Sequence, residues 1–170
     1  MSKDSRFLGD KQIVPLKAPI DSAGTAYATP YFNLKNALSC TIFFYMGVVT
    51  ATSADQNIVL TVEASTAAAS NATEVALSGA YRKSGATGTN TWGARTTFTS
   101  TGISLDTTAE DGKMIAIDID PADIIRQHGQ DDAVFVRLVV GIDAGGTVTL
   151  NAAWAELEQA YPQVTVIASC

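Results

Sequence analysis

The stretch Leu38 to Val49, LSCTIFFYMGVV, most limits what this chain can fold into. Read with a two-residue period, both of its faces are largely apolar, and β-branched and aromatic residues fill its middle. That pattern is typical of an inner strand covered on both sides, not of an amphipathic helix. It is too short to cross a bilayer as a helix, which needs about 20 apolar residues. We therefore expect it to be the central strand of a β-sandwich.

Further segments along the chain read as short strands separated by hairpin-length gaps. Residues 57–64, NIVLTVEA, alternate clearly and are expected to pair antiparallel with the central strand, because only a short loop separates the two. Residues 133–142, AVFVRLVVGI, form a second strand that is apolar on both faces except for Arg137. Asp120 and Pro121 open a short helix that Gly129 ends. About nine strands and one helix predict an all-β, antiparallel β-sandwich of the jelly-roll-like kind.

The chain has 170 residues, which is the usual size of one domain with a substantial core. We predict an extended N-terminal arm at residues 1–26 and a single β-sandwich domain at residues 27–170. Within the arm, Pro15 restricts residues 11–17 to an edge strand or an extended segment.

The charge pattern argues against nucleic acid as a partner, because the net charge is −6 and phosphate binding requires clustered Lys and Arg. Only 16% of residues are charged, below the roughly 25% of typical soluble proteins. Either another protein covers part of the surface, or the chain is a compact β-protein with small-residue loops. Basic residues gather near the N-terminus and acids in residues 106–132, which fits arm exchange between subunits, docking on an acidic scaffold, or a merely solvated terminus.

Neither a targeting segment nor a disulfide framework is evident. The first residues, MSKDSRFLGDKQIV, lack the apolar core of a signal peptide, so we expect synthesis in a cytoplasm and no membrane association. Cys40 lies in the middle of a strand and reads as a small buried hydrophobe. Cys170 is the last residue, and a bridge between the two cysteines stays open.

Candidate catalytic and metal-binding residues have simpler structural explanations. His128 is the one histidine, and a Ser-His-Asp arrangement would need it with Asp131 or Asp132; the dipole of the short helix favours a histidine there anyway. The acids Asp118, Asp120, Asp123, Asp131 and Asp132 lack the regular spacing of a calcium loop, and helix capping explains Asp120 and Asp123. Nothing places Asp118 beside Glu156 as a glycosidase pair. We predict no enzyme activity, no metal and no cofactor.

Exposed aromatic side chains offer one route to a ligand. Trp92 follows the glycine-rich stretch SGATGTNT, which lacks the spacing of a phosphate-binding loop and reads as a hairpin tip. Trp92 is therefore a possible exposed contact for a ligand such as a glycan. Trp154, in phase with Val148 and Leu150, is expected in the core.

Several segments together resemble small structural proteins of tailed-bacteriophage virions, the capsid-decorating or cement type. They are FNLKNALSCTIFFYMGVV, NIVLTVEAS, AYRKSGATGTNTW, DGKMIAIDIDPADI and DAVFVRLVVGIDAGGTVTLNAAW, which span most of the chain. The resemblance implies a β-sandwich that binds the major capsid protein and itself, as a homotrimer or higher cyclic oligomer. It implies a location on the capsid surface of the virion, after assembly in the host cytoplasm.

Two further roles stay open beside this one. A carbohydrate-binding or adhesive module of a tail or fibre would use Trp92 and residues 84–91, and tail or connector proteins also use β-sandwich chains of this size. The outer face of the central strand is left for another surface to cover: the arm, the Ala-rich loop at residues 65–73 (STAAASNAT) or a neighbouring subunit. Candidate subunit or capsid contacts are Lys3, Arg6, Phe7, Lys11, Lys17, Phe43 and Tyr45.

Overall fold

The computed structural model describes residues 11–20, 25–51, 57–69, 73–85, 88–106, 109–142, 146–148 and 151–160. Their strands are β1 Lys11–Ile20, β2 Tyr27–Ala28, β3 Phe32–Asn33, β4 Ala37–Tyr45, β5 Val49–Ala51, β6 Asn57–Ser65, β7 Val75–Ala76, β8 Gly79–Lys83, β9 Thr96–Phe98, β10 Ile103–Asp106, β11 Met114–Ile119, β12 Phe135–Ile142, β13 Gly146–Val148 and β14 Asn151–Gln159. One helix, α1 at Pro121–His128, lies between β11 and β12.

Two antiparallel sheets form a sandwich, which confirms the predicted fold class. The front sheet has the order β1-β14-β4-β11-β8-β9, and the back sheet has the order β10-β6-β12-β2, with β3 beside β12 and β7 beside β6. A short pair, β5 and β13, stands apart from them. The longer strands β4, β6, β8, β10, β11, β12 and β14 alternate between the two sheets along the chain, so neither sheet follows chain order.

The core lies between the inner faces of the two sheets, where strand periodicity directs every second side chain. On β4 the fully buried side chains are Ile42 and Phe44, and Cys40 is 1% exposed. On the back sheet, β6 and β12 contribute alternate aliphatic residues, namely Ile58, Leu60, Val62, Val136, Leu138 and Val140. Packing of these two apolar faces against each other is the main source of stability.

The central position of β4 is as predicted, but its neighbours differ from the prediction. β4 pairs with β14 on one side and β11 on the other, whereas β6 pairs with β12 and β10 in the opposite sheet. β4 and β6 each direct one apolar face inward, and these two faces are buried because they pack against each other across the core. Alternate burial runs from Cys40 to Met46, and Leu38 and Val48, predicted on the same buried face, lie outside this stretch and are each 59% exposed.

Part of the predicted N-terminal arm is a strand of the sandwich. β1 runs antiparallel to β14 from Lys11, opposite Glu158, to Ile20, opposite Asn151. The ladder is irregular after Pro15, which fits a proline on an edge strand. β1 buries Leu16 to 5% exposure, so residues 11–20 belong to the fold.

Helix α1 has the ends that its sequence predicts. The Asp120 side chain accepts a hydrogen bond from the Ala122 backbone N–H, and Pro121 occupies the first turn. Gly129 ends the helix at a φ of 77°, a left-handed conformation that glycine adopts without steric cost. Ile124 packs into the core, while Ile125 remains 36% exposed.

Candidate functional site

The outer face of the front sheet carries a row of apolar side chains across four strands, which ends at an arginine on the fifth. Register places Pro15 opposite Trp154, Trp154 opposite Phe43, and Phe43 opposite Ala116, which in turn lies opposite Arg82. Antiparallel sheets that face water on one side usually present polar residues there. This row is therefore the most unusual surface among the described strands.

Aromatic contacts hold the centre of this row together. The Phe43 and Trp154 rings are stacked, with centroids 5.5 Å apart and planes 16° apart. The Trp92 ring is tilted against Phe43 at 6.4 Å. We call Phe43, Tyr45, Trp92 and Trp154 the aromatic face. Phe43, Tyr45 and Trp154 are half-buried, whereas Trp92 is 42% exposed.

Trp92 reaches this face because its segment folds back beside β8. An isolated bridge pairs Trp92 with Ser84. The Gly93 N–H donates to the Lys83 carbonyl at 2.8 Å, and the Gly85 N–H donates to the Thr91 carbonyl at 2.8 Å. The outer face of β4, which the sequence left to be covered by an arm, the Ala-rich loop or a subunit, is thus partly covered by two tryptophans of the same chain.

The prediction that Trp154 belongs to the core is wrong. β14 places Asn151, Ala153, Ala155 and Leu157 inward, so the intervening residues face outward. The prediction assumed that the two-residue alternation continues unbroken from Val148 to Trp154. Val148 belongs to the separate strand β13, so the alternation in β14 starts afresh. Counting from Leu157 instead would have given the correct face.

A cavity of about 200 Å³ adjoins the aromatic face beside Trp92. Its walls combine aromatic and apolar side chains with hydroxyls and glycine backbone: Tyr45, Ser84, Gly88, Thr89, Thr91, Trp92, Gly112 and Met114. The Ser84 hydroxyl already accepts from the Met114 N–H at 2.9 Å, which fixes one wall. The combination of a ring with nearby hydroxyls is suited to a small polyol.

The predicted contact residues of the N-terminal region divide into two groups. Lys11 forms an ion pair with Glu156 on the neighbouring strand. The Lys17 ammonium lies 5.0 Å from the centroid of the Tyr27 ring, within range of a cation–π contact. Both lysines thus have partners in their own chain, whereas Lys3, Arg6 and Phe7 lie outside the described residues.

Two cavities flank helix α1, and sequence reasoning did not anticipate either. The larger, about 340 Å³, lies on the side of β8 and β11 and is bordered by Leu38, Arg95 and Asp118 among others. The Arg95 and Asp118 side chains form a long ion pair there, at 3.7 Å. The smaller, about 220 Å³, lies on the side of the β3–β4 turn. Leu38 and Ile125, one beside each cavity, are exposed aliphatic side chains, and their exposure becomes visible only in the fold.

Of the residues considered for catalysis, Asp118 and Glu156 lie on either side of Thr41 in the front sheet. Arg95 and Lys11, respectively, form ion pairs with them there. His128 contacts the Thr73 carbonyl through Nε2 at 2.8 Å, and Asp123 pairs with Arg126 on the same helix. In the described ranges, no three His, Cys, Asp or Glu side chains are grouped to hold a metal ion. Nor does any helix in them have the length and apolar character to cross a membrane.

The most buried charge in the described chain belongs to the Glu110 carboxylate, which is 7% exposed. Lys83 and Lys113 both donate hydrogen bonds to it. Burial acts to raise the pKa of Glu110, but the two ammonium groups outweigh burial, and the net pKa lies below its usual value. This cluster ties the 109–112 turn to β8, next to the cavity beside Trp92.

A second charged cluster lies on the back sheet. Arg137 pairs with Glu63 at 2.7 Å and Glu74 at 2.8 Å, and its guanidinium lies 4.8 Å from the Tyr31 ring centroid. Burial and a hydrogen bond to Glu74 raise the pKa of Tyr31 to about 12. All four groups satisfy one another, so this cluster is structural.

Comparison with known proteins does not assign this chain to a family. No protein-family model and no curated protein matches the chain. One solved structure, that of the infectious bursal disease virus Gt strain, is similar at 12% sequence identity and a TM-score of 0.24. The alignment covers 91% of this chain and 43% of the viral chain. A likeness of this size carries no inference about this chain.

Proposed function

We propose that this chain is a non-enzymatic structural protein of a tailed-bacteriophage virion, which decorates and stabilises the capsid as a symmetric oligomer. The observation that carries the proposal is the aromatic face: a sheet that ended at water would not need Phe43, Tyr45, Trp92 and Trp154 on its outer side. The resemblance of the sequence to cement proteins supports the same role.

In this proposal the aromatic face contacts the major capsid protein, and the N-terminal segment joins copies of the chain. Aromatic side chains are enriched in the buried centres of protein interfaces. The charged groups around the face are of both signs, with Arg82 and Arg95 near Asp118 and Glu156. Such a surface suits a protein partner better than nucleic acid, which requires a basic patch. Neither nucleic acid nor a membrane is proposed as a partner.

Binding to empty capsids tests the proposal directly. Purified chain should sediment with empty capsids of the phage that encodes it, and light scattering should give an oligomer in solution. Trp92→Ala and Tyr45→Ser should weaken capsid binding at least tenfold without changing the oligomeric mass. Thr97→Ala, an exposed change on β9, serves as the matched control. A monomer that does not sediment with capsids contradicts the proposal.

A second candidate function is glycan binding, which the cavity beside Trp92 favours because it joins two aromatic rings to several hydroxyl groups. A glycan array probed with wild type and with Trp92→Ala separates the two functions. Binding that disappears in the variant supports a tail or fibre adhesin. No binding to any glycan leaves the capsid role as the better explanation.

A further inference from the structure

The smaller cavity beside α1 is an apolar groove at one end of the sandwich. Leu34 to Ala37 form one wall, the first half of α1 forms the other, and Ala133 with Val134 forms the floor. Ile125 stands exposed at its edge. We call this the α1 groove. Apolar grooves with exposed aliphatic edges are typical sites for a short apolar segment of another chain.

Both ends of the described chain lie near this groove. β1 starts at Lys11 opposite Glu158, and β14 ends with Gln159 opposite Ala37. The Ala160 N–H then donates to the carbonyl of Asn36, a groove residue, at 2.8 Å. The described chain therefore begins at the end of the sandwich that carries the groove, and the ten residues before it, MSKDSRFLGD, contain the adjacent apolar pair Phe7 and Leu8.

Acidic residues adjoin the groove in the sequence, although none of them lines it. Asp120 immediately precedes the wall formed by α1, and the exposed Asp131 and Asp132 immediately precede the floor. The one cationic side chain lining the groove is Lys35. Lys3 and Arg6 precede Phe7 with Asp4 between them, and Asp10 follows Leu8 by two residues, so the charge directly beside the apolar pair is that of Arg6.

We propose that the α1 groove of one copy receives Phe7 and Leu8 of a neighbouring copy. Phe7 precedes Lys11 by four residues, which extend at most about 14 Å. Its own arm would use about 10 Å of that length to cross β14 and reach β4, which leaves only about 4 Å to enter the groove. A segment that enters from another copy makes no such crossing.

The inference rests on the proposed function, because it assigns the site through which copies of the decorating protein join. A segment on one copy and a groove on the next are different surfaces, so the contact can repeat head-to-tail from copy to copy. Head-to-tail contacts close into rings when the rotation permits, which agrees with a homotrimer or higher cyclic oligomer. Reciprocal exchange between two copies would instead give a two-fold dimer, and the oligomeric mass distinguishes the two arrangements.

Disulfide trapping in the full-length chain tests the inference. The variant carries Phe7→Cys and Ile125→Cys on a Cys170→Ser background; Cys40 is buried, and burial raises the pKa of its thiol to about 12, so it stays unreactive. Mild oxidation should give species of two or more chain masses on a non-reducing gel. The control pairs Phe7→Cys with Thr97→Cys, on the opposite edge of the front sheet, and should stay monomeric on the gel.

Each other result overturns the inference in a recognisable way. A crosslink confined to single chains shows that the segment occupies its own groove. Equal crosslinking in the control pair shows that contact is unspecific. If the variant remains oligomeric but forms no crosslink, the α1 groove is not the receiving site and the proposed function is unaffected. If the wild-type protein is a monomer, both the inference and the proposed function are wrong.

A charge substitution gives an independent measurement. Ile125→Asp should lower the oligomeric mass measured by light scattering to that of one chain, with the far-ultraviolet circular dichroism unchanged, because Ile125 is already partly exposed. Ile13→Asp, which is 49% exposed on β1, is the matched control and should stay oligomeric. If the Ile125→Asp variant keeps the wild-type mass, the groove is not the receiving site.

Discussion

At the scale of single residues, Phe43 and Phe44 show how strand periodicity divides two neighbours of the same type. Phe44 is fully buried between the sheets. Phe43 points outward, is half-buried, and rests against Trp154 and Trp92. The first residue supports the fold, and the second is available to a partner.

Replacement of the two phenylalanines should therefore have different costs. We expect Phe44→Ala to lower the free energy of unfolding by about 3–5 kcal/mol, because it leaves a cavity in the core. Phe43→Ala should cost about 1–2 kcal/mol, mainly through lost ring contacts. Urea titration followed by fluorescence measures both. Equal losses for the two variants would mean that the outer face is as tightly covered as the core.

Glu110 gives a prediction about pH. Because the pKa of Glu110 is lowered in the folded state, the carboxylate stabilises the fold above its unfolded pKa of about 4.3. That stability is lost as the pH falls through the lower folded value. Glu110→Gln should reduce stability near pH 7 by roughly 1–3 kcal/mol, and its unfolding free energy should fall less steeply between about pH 5 and pH 3 than that of wild type.

Thermal or urea unfolding across this pH range measures the difference. Glu158→Gln is the control, since Glu158 is exposed and lies on β14, away from the lysines that hold Glu110. If wild type and Glu110→Gln lose stability in parallel on acidification, Glu110 is not the group responsible.

At the scale of elements, two glycines in left-handed conformations have different surroundings. Gly102 has a φ of 89°, and a Cβ there would lie 2.7 Å from the Leu60 carbonyl oxygen. Gly88 has a φ of 83° with nothing within 4 Å of such a Cβ. The turn into β10 thus requires glycine for space as well as for conformation.

This pair separates the two requirements experimentally. Gly88→Ala should cost about 1–2 kcal/mol, the usual cost of a left-handed alanine. Gly102→Ala should cost clearly more, because the backbone of β10 or β6 must also shift. Denaturant midpoints measure both, and equal values would show that the β6–β10 pair accommodates the added methyl group freely.

Features that depend on neighbouring residues in the chain, such as the ends of α1, were predictable from the sequence. The pairing of strands was not. The ends of α1 follow from Asp120, Pro121 and Gly129, which act on the nearest backbone groups. The central place of β4 follows from its two apolar faces. Its pairing with β14 and β11 depends on contacts between residues far apart in the chain. A short loop after β4 suggested a hairpin, but the chain crosses to the other sheet instead.

The candidate site was predictable only in part, for the same reason. Phe43, Tyr45 and Trp92 stood out as apolar residues with no assigned cover. Trp154 was missed because its strand phase was counted across a break between β13 and β14. The α1 groove forms where the β3–β4 turn meets α1 and Ala133, three segments that no local pattern brings together.

At the scale of the whole molecule, the role of β1 sets a limit on truncation. Removal of residues 1–10 should leave the sandwich folded, with the circular dichroism of the strands and cooperative unfolding retained, because β1 keeps its ladder to β14. Removal of residues 1–20 should abolish cooperative unfolding, since it exposes the edge of β14 and the core around Leu16. A folded chain after the longer deletion would make β1 dispensable.

The side-by-side position of the start of β1 and the end of β14 also has a mechanical consequence. A force that pulls residue 11 away from residue 160 acts at one end of an antiparallel ladder, so its hydrogen bonds would break one after another. Strands loaded from opposite ends would instead share the force among all their bonds at once. In the proposed capsid role, tension between residues 11 and 160 would therefore open the ladder stepwise, so the load would have to enter through the broad sides of the sheets.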